Sequence, residues 1–136
     1  MRKLIIPCMF ASQNVWIEKN RIRKGAWSAG NDMKQRDQKI ILGFLQKQLK
    51  APLVEPVFIE FRYYCPNGKR DPDNVSGYFH KIFLDALVKS GRLKNDGFKN
   101  VFGFCDSFFI DRGNVRIEID IHENMDGDSC ISKLSI

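Results

Sequence analysis

The chain has 136 residues, 43% hydrophobic, 28% charged and 12% aromatic, with a formal net charge of +6. That length and apolar fraction set one folded domain with a real core as the expectation and exclude wholesale disorder, and no apolar run approaches the ~20 residues that a membrane-spanning helix needs. The charge is lopsided: residues 1–50 hold 11 Lys/Arg against 3 Asp/Glu, whereas residues 51–136 hold 11 against 13, a pattern that suits a polyanion handled by an acidic centre.

Residues 3–6 (Lys-Leu-Ile-Ile) read as a short strand ended by Pro7, and the same stretch is too short in apolar residues for a secretory signal. The expected address is therefore cytoplasmic, with no membrane partner. Residues 8–30 read as irregular, holding Asn14, Trp16, Arg21, Arg23 and Lys24. From Asn31 the pattern is helical: Met33, Ile40, Ile41, Phe44, Leu45 and Leu49 share a stripe, Asn31 or Asp32 caps the start, and Pro52 follows the end. Residues 57–64 alternate as a strand. Pro66-Asn67-Gly68 signals a turn, and a second helix is expected from about Asp73 to Ser90, terminated at Gly91. Residues 98–110 are aromatic and β-prone, Asp111-Arg112-Gly113-Asn114 reads as a hairpin turn, and residues 115–122 alternate again, with His122 on the polar side as a surface residue. The tail 123–136 is expected to be loose. The order β-α-β-α-β-β implies an α+β fold, two helices packed on one mixed sheet, in a single domain over 1–136.

Cys8, Cys65, Cys105 and Cys130 are widely spaced, without a C-x-x-C pair, and read as thiols rather than as zinc ligands or disulfides. The chemistry concentrates instead in Arg70-Asp71-Pro72-Asp73-Asn74, where a turn hands over to the second helix, and in Asp96 of the loop after it. In extended chain the carboxylates of Asp71 and Asp73 project to one side. If Asp96 returns beside them, three hard oxygen donors favour Mg²⁺ or Mn²⁺ over zinc. The plainer alternative is capping, since Asp and Asn are favoured at helix starts. An EF-hand loop from Asp71 fails, because positions 5, 6 and 12 are Val75, Ser76 and Ile82. Asp71-Pro-Asp73-Asn-Val75 matches a haloacid-dehalogenase motif only formally, because no apolar strand runs directly into it.

The run Lys69-Arg70-Asp71-Pro72-Asp73-Asn74, then Leu84-Asp85-Ala86-Leu87 with Gly91, then Asn95-Asp96, resembles the RusA family of Holliday-junction resolvases. The likeness extends to Pro7 and Asn14, the basic first helix and the closing Arg116-Ile-Glu-Ile-Asp-Ile. It implies a homodimeric, Mg²⁺-dependent endonuclease that nicks four-way DNA junctions symmetrically, with Asp71, Asp73 and Asp96 as metal ligands. The family's functional lysine falls on Gly77 by one count and on Lys81 by another; Lys81 is the favoured candidate and His80 the next. Asn14, Arg21, Arg23, Lys24, Lys69, Arg70 and Asn74 are the expected DNA contacts, Trp16 is expected in the core, and Tyr63, Tyr64 and the aromatic stretch 98–110 in sheet and dimer packing. A branched-DNA-binding module without catalysis and a metal-dependent nuclease without junction preference are the alternatives.

Overall fold

A computed structural model describes residues 1–125 of the chain. In order they form β1 (Arg2–Ile6), α1 (Gln13–Asn20), β2 (Arg23–Lys24), β3 (Trp27–Ser28), α2 (Ala29–Gln48), β4 (Val57–Cys65), α3 (Pro72–Lys89), β5 (Val101–Ile110) and β6 (Arg116–His122). The main sheet runs β1-β6-β4-β5. β4 pairs with β5 in parallel, through the α3 crossover, while β6 is antiparallel to β4 and β1, so the sheet is mixed as the sequence implies.

Alternation decides the two faces. Leu4, Ile6, Ile59, Phe61, Tyr63, Ile117, Ile119 and Ile121 turn to one side, where they bury against Met33, Ile41 and Leu45 of α2 and Val75, Phe79, Ile82 and Phe83 of α3. Phe61 and Phe79 meet edge to face with ring centroids 5.8 Å apart. On the opposite face Glu60 stands directly across from Asp120, and Arg62 relieves the like-charge pair, its Nη1 lying 2.7 Å from Asp120 Oδ2 and 3.7 Å from Glu60 Oε2. His122 is on this polar face but is buried, not a surface residue, because its Nε2 lies 3.1 Å from Glu60 Oε1 within the same charge network.

Three helices pack where two were expected. Residues 13–20 carry no buried side chain, so no apolar stripe announces α1. It forms because the Ser12 hydroxyl caps it, accepting from the Val15 N–H at 3.2 Å. β2 and β3 add a small hairpin inside the stretch that reads as irregular. α2 begins at Ala29, capped by Ser28 rather than by Asn31 or Asp32: the Asn31 N–H donates to Ser28 Oγ at 3.1 Å. Gly91 ends the α3 region with φ +74°, the left-handed conformation that glycine adopts freely.

The first residues of the expected loose tail are pinned. The Val54 N–H donates to Glu123 Oε1 at 3.1 Å, Arg2 pairs with Glu123, and Met125 is buried against Phe58. The rest of that tail, with Cys130, lies outside the described residues. Cys8 and Cys65 are thiols, and burial pushes both up from their ordinary range. No helix among the described residues is long and apolar enough to cross a membrane.

Candidate functional site

Pro72 takes the first helical position of α3, where its missing N–H costs nothing. Asp71 before it is extended and occupies the cap position, and its carbonyl accepts from the N–H groups of Asn74 and Val75 at 3.0 and 3.1 Å. Its carboxylate makes no capping bond. Asp73 sits in the first turn, where the helix dipole favours an anion. Both acids are exposed, and neither carboxylate is taken up by a hydrogen bond or ion pair among the described residues. Capping thus accounts for the position of Asp71 and leaves its charge unused.

Asn74 has a different task. Its Oδ1 accepts from the Asn14 N–H at 2.8 Å and so ties the start of α1 to the start of α3. One turn on, Gly77 admits α1 closely, since a Cβ there would stand 2.9 Å from Gln13 Oε1. Arg70 donates from Nη1 to the Phe10 carbonyl at 2.9 Å, and the Lys69 N–H donates to Asn67 Oδ1 at 3.0 Å, fixing the turn before the acids. Asn14, Lys69, Arg70, Asp71, Asp73 and Asn74 are therefore gathered at one end of the sheet. Beside them opens a cavity of about 650 Å³, with Met9, Cys65, Arg70, Val75 and Phe108 among its walls.

Other expected members of the site stand elsewhere. Lys81 is eight residues beyond Asp73, about 12 Å along the helix, and pairs with Asp85 at 3.5 Å rather than with the acidic pair. His80 faces β5, its Nε2 lying 2.8 Å from Asp106 Oδ1, and the same Asp106 stands by Tyr63, whose hydroxyl is pushed up first by burial and then by that carboxylate.

Asp96 does not return beside Asp71 and Asp73 within one chain. The loop that carries it is held at the start of β4: the Val57 N–H donates to the Asn100 carbonyl and Asn100 Nδ2 donates to Glu55. Asp71 follows the end of that strand. The eighteen residues of α3 separate the two positions by about 27 Å. Among the described residues no three His, Cys, Asp or Glu side chains converge to hold a metal ion. By chemistry, two free hard carboxylates at Asp71 and Asp73 suit Mg²⁺ or Mn²⁺, but one chain supplies only part of the expected donor set.

Arg21 caps the far end of α1, and Arg23 and Lys24 form β2 of the hairpin beyond it; all three are exposed. That arm carries Trp27, which is not among the sequence-predicted site residues. Trp16 packs on Tyr78 with centroids 5.4 Å apart, in keeping with a core role. The signal for the arm was present in Lys24-Gly25-Ala26-Trp27, a glycine-containing two-residue turn between short flanks.

No family model and no curated protein matches the chain. Among solved structures, the periplasmic domain of Helicobacter pylori MotB is similar at 17% identity over 96% of this chain and 86% of that one, with a TM-score of 0.34, which carries no argument about fold or function.

Proposed function

We propose that the chain is a RusA-like, divalent-metal-dependent endonuclease of branched DNA, acting on four-way junctions as a homodimer. The observation that carries this reading is the pair of exposed, unengaged carboxylates of Asp71 and Asp73, held between Arg70 and the Asn14–Asn74 tie. A structural cap would have spent Asp71's carboxylate on the helix; here it is left for a ligand. Mg²⁺, with Mn²⁺ as a substitute, supplies Lewis acidity toward a phosphodiester when bound by these acids. Arg70 and Lys69 neutralise the phosphate, a role that Lys81 is too far along the helix to share. Asn14 and Asn74 set the spacing of the two helix starts against the strand.

The third acid comes from a second copy. β5 is a sheet edge of ten residues with no Lys, Arg or Pro, and it exposes Phe102, Phe104, Phe109 and Ile110, with the wholly exposed Phe98 just before it. Such an edge is a template for strand pairing. The other edge, β1, has five residues and carries Arg2 and Lys3. Pairing β5 with its copy about a two-fold axis normal to the sheet runs the two strands antiparallel. The start of one β5 then lies beside the end of the other, which brings the partner subunit's Asp96 to the end that holds Asp71 and Asp73. Two such centres per dimer match symmetric nicking.

The test is a cleavage assay on mobile four-way junctions, flaps and linear duplex, with Mg²⁺, Mn²⁺ and EDTA. The expected result is paired nicks in the junction, none in EDTA, and a loss of at least ~100-fold in Asp73→Asn with junction binding retained. Equal cutting of all three substrates favours a nuclease without junction preference. Binding without metal-dependent cutting under any condition favours the inactive binding module, a reading to which the separation of Asp96 from Asp71 in one chain lends weight.

A further inference from the structure

From Lys19 to Asn31 the chain has no acid, and residues 21–27 are all exposed. This stretch is an arm with a firm root. The Ala29 N–H donates to the Ile22 carbonyl at 3.0 Å, Arg23 Nε donates to the Asn20 carbonyl at 3.1 Å, and Ser28 caps α2. Gly25 stands at the first position of the two-residue turn with φ +62°, where type II′ hairpins take glycine. Trp27 lies opposite Lys24 across the hairpin and is 48% exposed, with Ile22 at 52%. Among the described residues no aromatic ring and no cation stacks on the Trp27 indole, whereas Trp16 is covered by Tyr78. An open indole opposite Lys24, on an arm that also carries Arg21 and Arg23, is matched to one kind of ligand, a π-face joined to anions. An unpaired nucleotide strand supplies both. Duplex DNA offers the anions but keeps its base faces stacked.

We infer that Trp27 is a stacking platform for an unpaired base, with Arg21, Arg23 and Lys24 holding the phosphates of the same strand. The inference rests on the DNA-handling part of the function proposed above and deepens it, because it names the feature of branched DNA that is recognised. α1 spans about 12 Å between Asn14, beside the acids, and the root of the arm. At ~3.4 Å per stacked nucleotide that length is about three to four nucleotides, from the end of α1 beside the acids to the root of the arm. Opened bases near a branch point fall within that reach.

The experiment uses the full chain in EDTA, so that binding is read without cutting. Tryptophan emission is titrated with oligothymidylate, with a duplex of equal length and with anionic phospholipid vesicles, and affinity is followed by the anisotropy of labelled DNA. The expected result is quenching by the single strand that disappears in Trp27→Phe, with affinity held within about 3-fold in Trp27→Phe and lowered about 10- to 100-fold in Trp27→Ala. Duplex affinity is expected to change by less than about 3-fold in either variant, because no base face is lost there. Single-strand affinity unchanged in Trp27→Ala, an equal loss on duplex, or quenching by vesicles but not by the oligomer overturns the inference. Junction nicking in Mg²⁺, measured in parallel, judges the nuclease separately: nicking without Trp27-dependent strand binding sinks only the stacking platform, and strand binding without nicking sinks only the nuclease.

Discussion

Asp71 and Asp96 bracket α3, one immediately before its first turn and the other in the loop beyond its last, so one chain holds them a helix length apart. The same parallel β4–β5 pairing that separates them makes their union across a two-fold simple, because reversing β5 against its copy exchanges the ends. Mixing two inactive proteins tests this. In a heterodimer of Asp71→Asn with Asp96→Asn, a shared-site arrangement places both lesions in one centre and leaves the other intact. Equal mixing is expected to return about a quarter of the wild-type centres, with single nicks rather than paired ones. A site built within one chain gives no recovery, and gel analysis of nicked junctions separates the two.

The arm that carries Trp27 depends on Gly30. A Cβ there would run into the Asn20 side chain and stand 2.8 Å from the Asn20 backbone nitrogen, which cannot swing away. Gly30→Ala is therefore expected to destabilise by about 1–3 kcal/mol, lowering Tm by roughly 3–10 °C, despite the helix propensity it gains. Gly77→Ala is the contrast. Its obstacle is the end of the flexible Gln13 side chain at 2.9 Å, and its expected effect on Tm is small. Thermal melts of the two variants side by side check the distinction. Equal losses would mean that α1 is held as rigidly at its start as at its end.

The strands and two of the helices were legible because their periodicity is strong. Ile117, Ile119 and Ile121 alternate without a break, the α3 stripe buries as expected, and the α2 stripe buries at Met33, Ile41, Leu45 and Leu49 but leaves Ile40 exposed, on the edge of the helix face that meets the core. α1 was not legible, since of its apolar side chains only the half-buried Trp16 packs on the core, and the helix rests on the Ser12 cap and its ties to Gly77 and Asn74. Asp71 and Asp73 both fall at the start of α3 because they are two residues apart, but Asp73 is helical, so the extended geometry expected to align their carboxylates does not hold there. Asp96 could not be placed, because its distance from them is set by strand direction, and spacing along a chain says nothing of that. Alternation alone places His122 on the polar face, but its burial arises from a cross-strand partner, Glu60, that only the register of β4 against β6 reveals.

Arg21, Arg23 and Lys24 are exposed and make no ion pair among the described residues, so their charge is available to phosphate. Replacing all three with glutamine is expected to weaken DNA binding and to flatten its salt dependence. Each lost contact removes about 0.7 from the slope of log affinity against log salt on single strands and about 0.9 on duplex, so about 2 units in all on a single strand. Fluorescence titrations across a salt series measure it. A parallel shift with unchanged slope would assign these cations a role other than phosphate neutralisation.

Glu118 offers a pH dependence whose sign follows from its partners. The Arg116 Nε donates to Glu118 Oε2 at 2.7 Å and Arg62 Nη2 donates to Glu118 Oε1 at 3.3 Å, and these bonds, that from Arg116 foremost, hold the carboxyl below its ordinary value of 4.5. A carboxyl that is more acidic in the folded chain than in the unfolded one stabilises the fold above the unfolded value, and that contribution is lost as the pH falls through the folded value. Wild type should therefore melt above Glu118→Gln at neutral pH, and the gap should close as the pH drops below 4.5. Melting curves across that range for both proteins measure the gap. A difference that stays constant into acid would mean that Glu118 acts by shape and neutral hydrogen bonding, with its charge contributing nothing to the sheet's polar face.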